Sequence, residues 1–209
     1  MADDTPKELK VKADPIEATP EEKRSAAYRL AGAVAHSLRA NGEVALRCFG
    51  NPSINKACKA LLLAREFVEP HGLSICCAPA FIEAEMEGQM RTGISLLVFC
   101  EEGTAKEDDG VAFTELKVRS DSPDISDDER KKAVKKLAGA IAYSIREKGK
   151  VAVRAFGTVA IGKTVKAIAV SRGFVAVNGK DLYFYPESIE AEMNGETKRG
   201  ISFMVFAGS

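Results

Sequence analysis

The chain has 209 residues, of which 45% are hydrophobic and 29% charged, with 17 Gly and 8 Pro and a formal net charge of zero. That composition excludes a mostly disordered, collagen-like or low-complexity protein and leaves room for one large domain or two small ones. The longest stretch without a charged side chain, Pro70 to Ile82, falls far short of the roughly 20 apolar residues of a membrane span. Taken in chain order, Leu9 to Ala13 alternates apolar and polar residues at period two, which predicts a short half-exposed strand. Thr19-Pro20-Glu21-Glu22 supplies an N-cap, a Pro at the first helical position and a Glu at the third. Ala26, Ala27, Leu30, Ala33, Val34 and Leu38 then recur at helical spacing until Asn41-Gly42. A second strand is expected over Val44 to Phe49. Gly50 turns the chain into a helix over Ser53 to Phe67, closed by Pro70 and Gly72. Ser74 to Glu87 is a long extended segment whose Pro79 predicts an edge or bulged strand. Glu87-Gly88 makes a hairpin turn to a last strand through Ile94, Leu96 and Val98.

The same order recurs. A shift of 107 residues aligns two halves without a gap, with about 40 of some 90 positions identical. Leu30-Ala31-Gly32-Ala33 meets Leu137-Ala138-Gly139-Ala140, and Ile82-Glu83-Ala84-Glu85-Met86 meets Ile189-Glu190-Ala191-Glu192-Met193. The second copy places Asn194-Gly195 at the hairpin tip, a strong signal for a type I′ turn. Residues 1–102 and 113–209 are thus expected to form two domains joined by an acidic linker, 103–112.

The residues of each copy resemble a known family. Leu137-Ala138-Gly139-Ala140-Ile141, the turn Ala155-Phe156-Gly157 and the run from Val165 to Val175 are similar to the bacterial stage V sporulation protein S family, small proteins with the Alba-like fold. The Pro186 strand, the hairpin at Gly195 and Gly200-Ile201-Ser202 extend the resemblance over nearly all of both copies. It implies the α+β class: two Alba-like β-α-β-α-β-β domains in tandem, packed as an intramolecular pseudo-dimer. The wider Alba group implies binding to DNA or RNA as dimers, through lysines in the loop after the first strand and basic residues on the last hairpin.

The charges of this chain distribute differently from that pattern. Residues 1–102 carry 12 Lys+Arg against 15 Asp+Glu, and residues 113–209 carry 17 against 12, so an acidic partner is expected at the second copy. Both loops after the first strand are acidic, Asp14 to Glu22 and Asp121 to Glu129, which repels a phosphate backbone and suits helix starts. Arg130, Lys131, Lys132, Lys135 and Lys136 crowd the start of the second copy's first helix, on the face opposite Ala133, Val134, Leu137 and Ile141. Lys163, Lys166 and Arg172 repeat Lys56, Lys59 and Arg65 on the following helix, and Lys198 and Arg199 lie on the last hairpin. These ten cations of the second copy are the nucleic-acid-binding candidates. Each is also explained by a solvated helix or hairpin surface.

One motif points to catalysis. Gly157 to Thr164 satisfies the phosphate-loop pattern GxxxxGK[ST] between a strand and a helix. Its gapless counterpart, Gly50 to Ala57, lacks the second Gly and the hydroxyl, and only some 45 residues follow the motif. A strand-to-helix turn is the better reading, and it expects Lys163→Ala to leave the fold intact. His36 and His71 are replaced by Tyr143 and Asn178 in the other copy, and His36 is expected at the core or its edge. Glu83/Glu85 and Glu190/Glu192 read as solvated sheet faces. The five cysteines form no CxxC pair and lie among apolar residues, as reduced core thiols of an intracellular, cytoplasmic protein do. Neither a metal nor a cofactor is implied. The leading expectation is a non-enzymatic DNA- or RNA-binding protein acting through basic faces of the second repeat. The alternative is a structural or adaptor subunit of a larger intracellular assembly, such as a cytoskeletal or ciliary complex, without nucleic-acid contact.

Overall fold

In the computed structural model the chain divides into two compact units, residues 1–107 and 108–209. Residues 5–102, 113–122, 124–193 and 195–208 are described; the expected linker 103–112 and Asn194 of the second hairpin tip lie outside them. Unit one runs β1 (Lys7–Val11), α1 (Pro20–Asn41), β2 (Glu43–Cys48), α2 (Asn51–Val68), a 3₁₀ turn (Glu69–His71), β3 (Leu73–Met86) and β4 (Gln89–Glu102). Unit two repeats it: β5 (Thr114–Val118), α3 (Asp127–Lys148), β6 (Lys150–Ala155), α4 (Thr158–Ala176), β7 (Asp181–Met193) and β8 (Glu196–Gly208). Among the described residues, no helix is long and apolar enough to cross a membrane.

Within each unit the strand order is set by two connections. Helix α1 carries the chain across to lay β2 parallel to β1, with Lys7 opposite Val44 and Val11 opposite Cys48. The β3–β4 hairpin then inserts β4 beside β2, antiparallel, and leaves β3 outside, giving β1-β2-β4-β3. Unit two gives β5-β6-β8-β7 by the same steps. The strand pairing within each unit is therefore mixed, parallel and antiparallel. In unit one, α1 and α2 pack on each other and on the sheet, as α3 and α4 do in unit two. Val44, Leu46, Leu96 and Val98 from the strands meet Ala31, Val34, Ile54 and Leu61 from the helices, all fully buried. Burying each of these Val, Leu and Ile side chains contributes about 1.5–3 kcal/mol, and the Ala31 methyl less.

Local signals hold the element ends where the residues require. Thr19 accepts the amide of Glu22 at 3.2 Å while the Glu22 carboxylate accepts the Thr19 amide at 2.7 Å, a closed capping box. Ser126 and Glu129 repeat it. The bonds from Thr19 hold the Glu22 carboxyl below its usual range, and those from Ser126 do the same for Glu129. Glu87 and Gly88 both adopt positive φ, 54° and 75°, the requirement of a two-residue type I′ turn. Gly93 and Gly200 are glycines for a different reason: a Cβ there would sit 2.7 Å from the ring of Phe49 or 2.6 Å from that of Phe156, against backbone as well.

Three expectations need correction. Pro79 lies in β3, whose register with β4 runs unbroken from Leu73–Glu102 to Met86–Gln89 without the bulge expected of a proline. His36 is exposed; the buried stripe of α1 runs through Ala31, Val34, Ala35 and Leu38, and His36 falls just outside it. Ala33, expected on that stripe, is exposed as well. The cysteines meet expectation: Cys48, Cys58, Cys76 and Cys77 are buried free thiols and Cys100 is half-buried. Burial pushes the Cys48 thiol up to about 12 and raises Cys58, Cys77 and Cys100, which suppresses thiolate chemistry.

Candidate nucleic-acid interface

The ten nominated cations separate into three groups. The first turns of α3 bring together an exposed set. Lys131, Lys132, Lys135 and Lys136 all face solvent, because the helix directs Ala138, Ile141, Ala142 and Ile145 inward. Among the described residues, only a 4.0 Å pair between Lys131 and Asp128, both highly exposed, offsets them, and an exposed pair of that length is worth little. Arg130 begins the same cluster but is half-buried, its Nε donating to the Ile125 carbonyl at 3.3 Å.

The second group is already engaged. Lys163 forms an ion pair with Asp121 in which both side chains are mostly buried. Arg172 grips Asp181 through Nε and Nη2, both at 2.7 Å, and holds that carboxyl below its usual range chiefly through those bonds. Arg199 pairs with Glu190 across the β7–β8 hairpin at 2.9 Å. Lys166 and Lys198 form the remainder. Lys166 is half-buried, and burial, then the nearby Arg130 charge, lowers its affinity for a proton. Lys198 is exposed on the hairpin, on the opposite face from Arg199.

The acidic loops also read differently in three dimensions. Asp121 and its repeat partner Asp14 turn inward onto Lys163 and Lys56, the latter pair at 2.5 Å. Glu22 and Glu129 are held in the capping boxes. Part of the expected repulsion is thus neutralised within the fold.

This geometry bears on the phosphate-loop pattern. A nucleotide-binding loop needs a free lysine ammonium and a hydroxyl turned to magnesium. Here Asp121 takes the Lys163 ammonium, and the buried Thr164 hydroxyl donates to the Ala160 carbonyl at 2.9 Å. Gly157 serves the turn itself, at φ 84°, as Gly50 does at φ 85°. The expectation that Lys163→Ala leaves the fold untouched needs revision, because it strands a mostly buried Asp121. We expect Lys163→Ala to lower unfolding free energy by about 1–3 kcal/mol, and Lys163→Leu/Asp121→Leu to recover much of it. Urea unfolding of the three proteins checks this. A fluorescent ATP analogue should show no magnesium-dependent binding to the wild type.

Sequence comparison accords with the repeat architecture. The protein-family model described as Stage V sporulation protein S (SpoVS) matches twice, at residues 22–101 and 129–208. The chain belongs to the stage V sporulation protein S family. Each SpoVS match begins at the capping-box glutamate and ends in the last strand, so β1 and β5, with the loops that follow them, precede the matched spans. The chain is thus a tandem duplication of SpoVS-like domains, each extended at its start by a parallel outer strand.

Sequence reasoning missed one group of cations. Lys10, Lys12 and Arg29 of the first repeat surround a groove beside Lys56. The half-chain charge count hid them, since the first repeat carries a net excess of acid. The gapless alignment held the signal: Lys10, Lys12, Arg29 and Lys56 fall on Lys117, Arg119, Lys136 and Lys163, cation on cation at all four positions.

Proposed function

We propose that this protein is a non-enzymatic, Alba-like binder of DNA or RNA that engages the phosphate backbone through the α3 face of its second repeat. The observation that carries the reading is the cluster Lys131, Lys132, Lys135 and Lys136: four exposed ammonium groups on two turns of one helix, offset among the described residues only by the weak Lys131–Asp128 pair. Such a face attracts a polyanion through charge and counterion release, without reading bases. Lys198 extends the basic character to a hairpin, while Lys163, Arg172 and Arg199 are already engaged by Asp121, Asp181 and Glu190. With no aromatic residues alternating among the four lysines, single-strand stacking is not part of the proposal. Pairing of the repeats as an intramolecular pseudo-dimer belongs to the same proposal and rests on the gapless duplication.

The test is a titration of the full chain with duplex DNA and single-stranded RNA at two salt concentrations. Binding tighter than about 10⁻⁴ M near physiological salt, with affinity falling steeply as salt rises, supports the reading. Binding no better than that, insensitive to salt, rejects it in favour of an adaptor role in a larger assembly.

A further inference from the structure

We infer that the first repeat carries its own phosphate site, formed by Lys10, Lys12 and Arg29 beside the Lys56–Asp14 ion pair. The site is a groove of about 260 Å³ at the outer edge of the sheet, between the end of β1 and the flank of α1. Its walls are Lys10, Val11, Lys12, Ala26, Arg29, Leu30 and Lys56, and no carboxylate lines it. Lys10 comes from the exposed face of β1, Lys12 from the residue after it, and Arg29 from the third turn of α1. Among the described residues, none of these three has a carboxylate within ion-pair distance.

Their convergence has an energetic consequence. Three like charges line one groove, so an anion placed there is attracted by all three at once. Lys56 does not add to this, because Asp14 neutralises it at 2.5 Å with both side chains mostly buried. Lys56 instead closes one wall of the groove, with Asp14 behind it. A phosphate group fits such a groove: it offers several acceptor oxygens to three donors, one of them the planar fork of arginine. The volume lies just below the 300–1,000 Å³ range of sites for drug-sized ligands, which favours a single charged group over a large molecule.

The neighbouring space limits the ligand further. A wider groove of about 580 Å³ adjoins through the shared Ala26, Arg29 and Lys56, and its walls include Asp14, Glu17 and Glu22. Asp14 is committed to Lys56 and Glu22 to the Thr19 cap, while Glu17 is exposed there. Its charge opposes a polyanion continuing in that direction, so the site takes one phosphate rather than a tract. The second repeat preserves the set in Lys117, Arg119 and Lys136, all exposed and, among the described residues, without an ion-pair partner, beside the Lys163–Asp121 pair. Lys10 and Lys12 precede the family match. This inference stands independently of the nucleic-acid reading, since free phosphate alone would satisfy it.

The experiment is a ¹H–¹⁵N correlation titration of the full chain with inorganic phosphate, then with one short oligonucleotide with and without a 5′-phosphate. Within the first repeat, saturable shifts at amides near residues 10–14 and 26–30, absent with equal chloride, are expected. Lys10→Gln/Lys12→Gln/Arg29→Gln should weaken them about tenfold or more while leaving the remaining spectrum in place. Phosphate-dependent shifts that never saturate, or that survive the triple substitution, overturn the site. A response to inorganic phosphate and the 5′-phosphorylated strand only identifies a terminal or free phosphate; an equal response to both strands identifies the backbone diester. Loss of oligonucleotide binding in a variant altered only at Lys131, Lys132, Lys135 and Lys136, with the first-repeat phosphate shifts intact, separates failure of this inference from failure of the nucleic-acid reading.

Discussion

Gly93→Ala is expected to destabilise the first repeat by about 1–3 kcal/mol or more, and Gly200→Ala the second by a similar amount. A methyl at position 93 would lie 2.6 Å from the Cys48 carbonyl oxygen and 2.7 Å from two ring carbons of Phe49. At position 200 the corresponding distances are 2.7 Å to the Ala155 carbonyl and 2.6 Å to the Phe156 ring. An aromatic ring can swing aside, but the carbonyl belongs to the ladder joining β2 to β4 and cannot move without loss of its register. Phe49→Ala/Gly93→Ala should therefore recover only part of the loss. Gly32 and Gly139 supply the control: they sit in the middle of α1 and α3, and a Cβ at either meets nothing within 4 Å. Gly32→Ala should stabilise by about 0.5–1 kcal/mol, because it removes glycine's backbone entropy from a helix interior. Urea unfolding curves of these variants decide the matter. If Gly93→Ala unfolds with the wild-type midpoint, the packing of Phe49 over the strand is not what fixes a glycine there.

That contrast marks what the amino-acid sequence could disclose about this fold. Period-two alternation, a capping box and a two-residue turn are local, and Leu9–Val11, Thr19–Glu22 and Glu87-Gly88 were readable because each carries its cause within a few residues. The repeat made those readings doubly firm, since Ser126–Glu129 closes its helix start as Thr19–Glu22 does. The reason for Gly93 was not readable, because its partner Phe49 lies 44 positions away and meets it only once β2 and β4 pair. The state of Lys163 was hidden for the same reason: a spacing pattern shows that a lysine follows a glycine turn but not that Asp121, 42 residues earlier, already holds it. Charge counting failed in a different way. It ranked the halves correctly by net charge but averaged away Lys10, Lys12 and Arg29, whose fields add locally whatever the sum of their repeat.

Reversing the α3 face by Lys131→Glu, Lys132→Glu, Lys135→Glu and Lys136→Glu is expected to weaken nucleic-acid binding on the order of a hundredfold or more near physiological salt. All four side chains are exposed and the helix is anchored from its other side, so the fold should survive; circular dichroism of the variant verifies that. The salt dependence carries the sharper information. Each phosphate contact contributes about 0.9 to the slope of log K against log salt on duplex DNA, so losing four flattens it by up to about 3.6. A smaller change counts how many of the lysines reach a phosphate. Asp127→Asn/Asp128→Asn should act in the opposite direction, tightening binding and steepening the slope, because these exposed carboxylates stand in the first turn of the same helix. The two substitutions also remove favourable charge from the helix N-terminus, at about 0.3–1 kcal/mol each, so tighter binding should accompany slightly lower stability. Affinity and stability moving in opposite directions distinguishes a lost contact from a damaged fold. A protein whose affinity ignores all six substitutions does not use this helix for nucleic acid, and the four lysines are then a solvated face or a contact for protein partners.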